Sequence, residues 1–258
     1  MAYYEDHTFA ICAYGDSPFL EECIKSLKNQ TIKSNIILAT STPSDYIKKL
    51  CKNYNIKIFI NPESKGIGED WNFAISKCNT NLVTIAHQDD VYLEGYLENV
   101  LHSYNASDKQ ILIYTNYSEI INGKMVENRR NLKIKRIISL GFNNRFLGDK
   151  KWFKRFLLSI GSPIGCPAVT LQTKHTGEKP FITDHLFVLD WLTWEKLSHI
   201  KGRFVFIDDI LMLHRRHDDA ATSKYIKSDV RKKEDLEVLQ RFWWKPIAIL
   251  IQKFFAKS

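Results

Sequence analysis

The 258 residues are 44% hydrophobic and carry 37 Lys and Arg against 29 Asp and Glu, a formal charge of +8. That length and apolar content suffice for the core of one large domain. No apolar run reaches the roughly 18 to 20 residues of a spanning helix, the polar, acidic residues 1–7 argue against a secretory leader, and Cys12, Cys23, Cys51, Cys78 and Cys166 contain no C-x-x-C pair, which points to buried thiols of a reduced, cytoplasmic compartment.

From residue 8 to 115, short apolar runs at 8–13, 35–40, 56–60, 82–86 and 111–115 alternate with helical patterns. Such alternation predicts an α/β fold with a mostly parallel central sheet flanked by helices. Leu20, Cys23, Ile24 and Leu27 form a helical stripe entered through Ser17-Pro18, and Trp71, Ile75 and Cys78 repeat that spacing. Segment 118–125 carries an Asn122-Gly123 hairpin turn. The segment 129–155 then holds ten Lys and Arg against the single acid Asp149, a basic field suited to a phosphate-bearing ligand or an anionic lipid surface. A strand at 168–172, a helix at 190–199 and a strand pair around 204–214 follow, and the aromatic, lysine-rich segment 232–258, interrupted at Pro246, forms a helical tail.

In open sheets, ligands sit at the carboxyl ends of strands, so the loops after Ala13, Thr40, Ile60 and Ala86 are where a site belongs. The run 81–92 ends a buried-type strand abruptly in Asp89-Asp90. Hard divalent cations take carboxylate oxygens, and a cation on a diphosphate neutralises the charge that builds as a nucleotide leaves. A paired carboxylate is also a common solvated turn, and Asp208-Asp209 and Asp218-Asp219 repeat the dipeptide. Context therefore has to separate them.

Over about residues 9–223 the sequence resembles the family 2 glycosyltransferases of the GT-A fold. The resemblance rests on Tyr14-Gly15 followed by Leu20, Cys23-Ile24, Ser26-Leu27 and Gln30, then Asn61, Gly66 and Asn72, and then His87-Gln88-Asp89-Asp90 where the family has Asp-x-Asp-Asp. It implies transfer of a sugar, with inversion, from a nucleotide-diphosphate donor to a glycan or lipid-linked glycan acceptor, as in bacterial surface polysaccharides and capsules. It implies a divalent metal, Mn2+ or Mg2+, held by Asp89, Asp90 and His217. Donor contacts fall on Ala13, Tyr14, Gly15, Thr40, Ser41, Gly66, Asn72, His87, Gln88, Asp89 and Arg215. Residues 1–223 then form the catalytic domain, with the donor in about 8–115 and the acceptor in about 116–223, and 224–258 the tail.

Two departures stand out. His87 replaces the first carboxylate of the acidic motif, and residues 38–44, Leu-Ala-Thr-Ser-Thr-Pro-Ser, lack the aspartate that usually reads the base, which leaves the donor nucleotide open. Asp190, at the start of a helix, matches the family's general base, for which a carboxylate within reach of the acceptor hydroxyl is suited; a helix-start carboxylate also serves as a dipole partner. Trp191 and Trp194 offer ring faces to an acceptor sugar, although their helical spacing also fits the core. His217 and Arg215 match the Arg-x-His ending.

The segment 175–181, His-Thr-Gly-Glu-Lys-Pro-Phe, spells a zinc-finger linker, but no cysteine pair precedes it, so neither nucleic acid nor structural zinc is expected. Gly66 and Gly68 lack the third glycine of a dinucleotide fingerprint, since position 71 is Trp71. The tail and the aromatic-basic run 152–158 match an interfacial helix on the inner face of the cell membrane; packing on the domain or forming a homodimer are its other readings. A nucleotidyltransferase, or an inactive glycan- or membrane-binding relative, are the competing functions.

Overall fold

A computed structural model describes residues 2–107, 109–127, 129–217 and 229–255. The chain opens with β1 (Ala2–Ala13) and alternates through α1 (Leu20–Lys28), β2 (Ile32–Thr40), α2 (Asp45–Asn53), β3 (Lys57–Ile60), α3 (Ile67–Ser76) and β4 (Leu82–His87). Next come β5 (Val91–Tyr92), α4 (Tyr96–Asn105), β6 (Gln110–Ile121), β7 (Lys124–Val126), α5 (Arg130–Phe142) and α6 (Lys151–Leu158). The remainder is β8 (Val169–Gln172), α7 (Thr173–Thr176), α8 (Leu189–Ser198), β9 (Arg203–Arg216), α9 (Asp229–Gln240) and α10 (Lys245–Phe255).

One sheet runs in the order β3-β2-β1-β4-β8-β6-β9-β5, with β7 paired to β6. β8 is antiparallel to both β4 and β6, which leaves β1, β2, β3, β4, β6 and β9 pointing the same way. The expected α/β class with a mostly parallel sheet is what forms. Both faces are covered, so the strands are apolar almost throughout. Phe9, Ile11 and Ala13 of β1 pack with the stripe Leu20, Cys23, Ile24 and Leu27 of α1. Ala10 belongs to the opposite core cluster, with Trp71, Ala74 and Ile75 of α3 and Trp194 and Leu197 of α8.

Two elements differ from expectation. β1 begins at Ala2 because its polar start pairs with Ile32 and Lys33 before a register shift. The pair expected around 204–214 is one strand: Thr115 opposes Ile207 and Asn116 opposes Ile210, so Asp208-Asp209 is a bulge in β9, not a turn. Arg136 grips both Asp208 carboxylate oxygens at 2.6 Å, which makes the bulge a structural ion pair. In the tail, Val238, Leu239 and Ala248 join the main core, and the Trp243 indole donates to the Ser159 carbonyl at 3.0 Å. Pro246 sits in the first turn of α10, where its missing N–H costs nothing. The Asn122-Gly123 turn forms as expected, with φ of 50° and 75°. Asp218-Asp219, Ser223 and the side chains of Phe254 and Phe255 lie outside the described residues.

Candidate functional site

Parallel strands deliver their carboxyl ends to one edge, and the loops after β1, β2 and β4 are neighbours there because β1 lies between the other two. Hydrogen bonds across the loops fix them. Gln88 clamps Tyr14, accepting its N–H at 3.1 Å and donating to its carbonyl at 2.9 Å. Gly15, at φ +61°, donates its N–H to the Thr42 hydroxyl at 2.7 Å, and the Thr42 N–H is held by the Thr40 hydroxyl at 3.1 Å. Thr40 is therefore buried inside its own turn, whereas the Tyr14 ring is 69% exposed and free to meet a ligand.

The two adjacent carboxylates have different environments. Asp90 has no exposed surface; its Oδ1 accepts from the Arg215 N–H at 2.8 Å and lies 3.0 Å from His214 Nδ1. Burial alone would raise its pKa, but the charge and hydrogen bond of His214, the charge of His87 and the Arg215 amide outweigh it and hold Asp90 below the ordinary carboxylate value. Asp89 instead lies open at the crevice, its Oδ2 3.0 Å from His217 Nε2, with side-chain exposures of 20% and 24%. His87 stacks on Trp71 at 5.1 Å and 22° between planes. Burial pushes its pKa down against the pull of Asp90 and Asp89.

A divalent ion fits this arrangement. One ligand atom each from His87, Asp89 and Asp90 falls within 4.8 Å of the others, and the buried Asp90 Oδ2 and His87 Nε2 have no hydrogen-bond partner among the described residues. Orphaned buried polar atoms are costly, and a cation would satisfy them. Asp89 and His217 are the accessible donors, while Asp90 is tied down from behind.

Asp190, in the first turn of α8, is near the same crevice. Burial raises its pKa, opposed by the Trp191 N–H at 2.7 Å and by the charges of Lys135, Arg231 and His87. A partly desolvated carboxylate with raised pKa is a competent proton acceptor. Lys135 of α5, bonded to the Tyr117 hydroxyl at 3.0 Å, also feels the Asp190 charge.

Several expected contacts do not form. Trp194 is fully buried and Trp191 is 8% exposed with its indole N–H on the Leu158 carbonyl, so neither presents a ring to an acceptor; their helical spacing was that of a core. Arg215 stacks on Phe19 and spends its guanidinium on Glu22, at 2.6 Å, and on the Asp89 carbonyl, at 2.9 Å. It positions the acidic loop rather than offering a free phosphate contact. Asn72 is buried and exchanges two 2.9 Å hydrogen bonds with the Phe181 backbone, so it braces α3 instead of a donor. Gly66 adopts φ +149° ahead of α3, and at Gly68 a Cβ would collide with the Ile182 carbonyl, so that glycine serves close packing.

The residues missed in the sequence are Glu22, Asp70 and Lys135. They are helix residues that are not themselves landmarks of the resemblance, and only the folded topology brings them to the strand ends. Asp70 is the most telling, since its carboxylate accepts from the Ser41 hydroxyl at 2.9 Å and from the Asn61 amide at 2.8 Å.

Comparison with known proteins follows this geometry. The model of the family described as Glycosyl transferase family 2 matches residues 8–168. No curated protein matches the chain. Among solved structures, S. aureus TarS 1–349 in complex with UDP-GlcNAc superposes with a TM-score of 0.63 at 14% identity, covering 99% of this chain and 72% of that one. The mannosyltransferase PcManGT from Pyrobaculum calidifontis, in complex with GDP-Man and Mn2+, gives 0.65 at 13% identity over 92% of this chain and 63% of its own. Glucosyl-3-phosphoglycerate synthase from Mycobacterium tuberculosis, in complex with Mn2+ and UDP-Glc, gives 0.60 at 12% identity over 92% and 78%. At such identities the structures establish the GT-A fold, and the match over more than half the sequence establishes the rest: this chain belongs to glycosyl transferase family 2.

Proposed function

We propose that this protein transfers a sugar, with inversion, from a nucleotide-diphosphate donor to a hydroxyl of a glycan or lipid-linked glycan, using a divalent metal. The observation that carries the reading is the asymmetry of the acidic pair, with Asp90 buried and fixed and Asp89 open against His217. In this reading Asp89 and His217 hold Mn2+ or Mg2+, with His87 and the orphaned Asp90 oxygen close behind. When bound, the ion neutralises the leaving diphosphate. Tyr14, Gly15 and Ser41 receive the nucleoside. Asp190 takes the proton of the attacking acceptor hydroxyl, its affinity for that proton raised by burial, and attack opposite the departing diphosphate inverts the anomeric centre. The metal-bearing solved structures of this fold support a divalent ion, and the nucleotide-sugar complexes support the donor class. Transfer or hydrolysis of nucleotide sugars in Mn2+ tests the reading: Asp89→Asn should abolish turnover and Asp190→Asn should lower it by at least about 10²-fold in a folded protein, and full activity in either would remove that residue from the mechanism.

The acceptor belongs at a membrane surface, on the cytoplasmic face. No described helix is long and apolar enough to cross a membrane. Yet Trp152, Phe156 and Ile160, one turn apart along α6 and the residues just beyond it, are 60%, 49% and 39% exposed, and Trp244 is 82% exposed. Arg155 of α6 donates to the Arg241 carbonyl, which ties α6 to the segment that leads to Trp244. Lys150, Lys151 and Lys245 flank these residues in the sequence. Aromatic rings interleaved with lysines favour an anionic interface. Sedimentation with phosphatidylglycerol vesicles should carry the protein down, and its full retention in the supernatant at physiological salt would refute membrane binding.

A further inference from the structure

Resting on the nucleotide-donor reading above, the position of one carboxylate narrows which nucleotide is bound. β1 separates β2 from β4, so the loop bearing Ser41 and the loop bearing Asp89 are two strand spacings apart, roughly 10 Å. A nucleoside diphosphate with its phosphates at Asp89 and His217 therefore extends past the exposed Tyr14 ring toward the ends of β2 and β3. Asp70 waits there. It reaches this position from the first turn of α3, whose start is set by the Asp70 N–H on the Gly66 carbonyl at 3.1 Å.

Its two described side-chain partners, Ser41 at Oδ2 and Asn61 at Oδ1, are both neutral donors. They fix the plane of the carboxylate without cancelling its charge. A carboxylate offers about four lone-pair sites, so about two remain for a ligand. Asp16, another acid near this edge, is solvent-exposed and bonded to the Ser44 hydroxyl at 2.5 Å, where it supports the cap of α2.

We propose that Asp70 is the specificity-determining contact for the nucleobase, accepting a ring N–H of uracil, thymine or guanine and disfavouring cytosine and adenine, whose equivalent ring nitrogens carry lone pairs. The acid that the loop 38–44 lacks in sequence is supplied from α3. An acceptor-only group facing a lone pair is repulsive, and one facing an N–H forms a charge-assisted hydrogen bond.

Isothermal titration of the full chain in Mn2+ with UDP, dTDP, GDP, CDP and ADP tests this, together with Asp70→Asn, Asp70→Ala and binding of Mn2+–pyrophosphate. The best of UDP, dTDP and GDP should bind at least about tenfold more tightly than CDP and ADP, or ~1.4 kcal/mol. Asp70→Asn, whose amide both donates and accepts, should bring that ratio below about threefold while pyrophosphate affinity stays unchanged. A wild-type protein that prefers CDP or ADP overturns the inference whether or not the variants fold, and so does an Asp70→Asn protein that keeps the full ratio. Binding of no nucleoside diphosphate in Mn2+ would instead sink the donor reading itself, and the inference with it.

Discussion

The strand-end crevice and the flank formed by α5, α6 and α10 are built on opposite rules. In the crevice nearly every polar side chain is held by another loop: Gln88 by Tyr14, Asp70 by Ser41 and Asn61, Asp89 by His217. On the flank large apolar chains are left uncovered, with Phe146, Trp244 and Ile137 exposed by 84%, 82% and 70%. Fixed polar groups lower the reorganisation needed when a charged ligand arrives, which suits a small polar substrate. Uncovered aromatic surface gives area without direction, which suits a lipid interface more than a specific small molecule. Geometry does the work in one region and composition in the other.

The comparison breaks most easily at the crevice. Asp190→Asn should lower kcat by about 10²–10⁴-fold, the usual contribution of a positioned base, in steady-state assays. The raised Asp190 pKa also fixes a sign. Wild-type kcat should fall as pH drops through that pKa, because the base becomes protonated, and Asp190→Asn should lose this acidic limb. The same shift means that ionising Asp190 works against the fold: its stabilising contribution is present below the unfolded carboxylate pKa and is lost as pH rises through the higher folded one. Asp190→Asn should accordingly melt at an equal or higher temperature at neutral pH, as expected where function and stability conflict.

Asp90→Asn sharpens the distinction between the neighbouring acids. It should cost about 1–3 kcal/mol in urea unfolding, the penalty for disturbing a buried hydrogen-bonded carboxylate, whereas Asp89→Asn should leave the unfolding midpoint nearly unchanged. A second effect on stability, seen only as pH falls, comes from the core at the far end of β4 from the crevice. His7 is fully buried between the Ser34 and Thr84 hydroxyls, each 2.9 Å away, and burial lowers its pKa to about 3. The unfolded chain then binds a proton that the folded one does not, so stability should fall as pH drops from about 6.5 toward 3, by up to ~1.4 kcal/mol per pH unit. His7→Gln should remove this slope in denaturant titrations across that range. The smallest expected change is on the flank: Trp152→Ser with Trp244→Ser should weaken vesicle binding about tenfold and leave transfer to a soluble acceptor unaltered.

What the sequence disclosed follows from range. The strands at 8–13, 35–40, 82–86 and 111–115 lie inside β1, β2, β4 and β6, because buried parallel strands must be apolar residue after residue. The acidic loop was legible because its two aspartates end such a strand. The continuity of β9 was not, since Asp208-Asp209 has the composition of a turn, and its partners in the bulge, Arg136 of α5 and Asn116 of β6, are distant in sequence. Asp70 and Glu22 were invisible for a related reason: each is an ordinary first-turn helix acid until the fold brings Ser41 or Arg215 to it. Trp191 and Trp194 misled in the opposite direction, as aromatic rings beside a candidate base look like a sugar platform until their burial is known.

In the proposed site, Asp89 and His217 form an open metal–diphosphate pocket on a buried Asp90 support. Titrating Mn2+ into the protein with and without UDP or GDP, followed by electron paramagnetic resonance of the free ion, tests it most directly. Nucleotide and metal should each tighten the other's binding, and Asp89→Asn and His217→Ala should erase this mutual effect in proteins that still fold. Undiminished coupling in Asp89→Asn, or nucleotide binding indifferent to the metal, would contradict it.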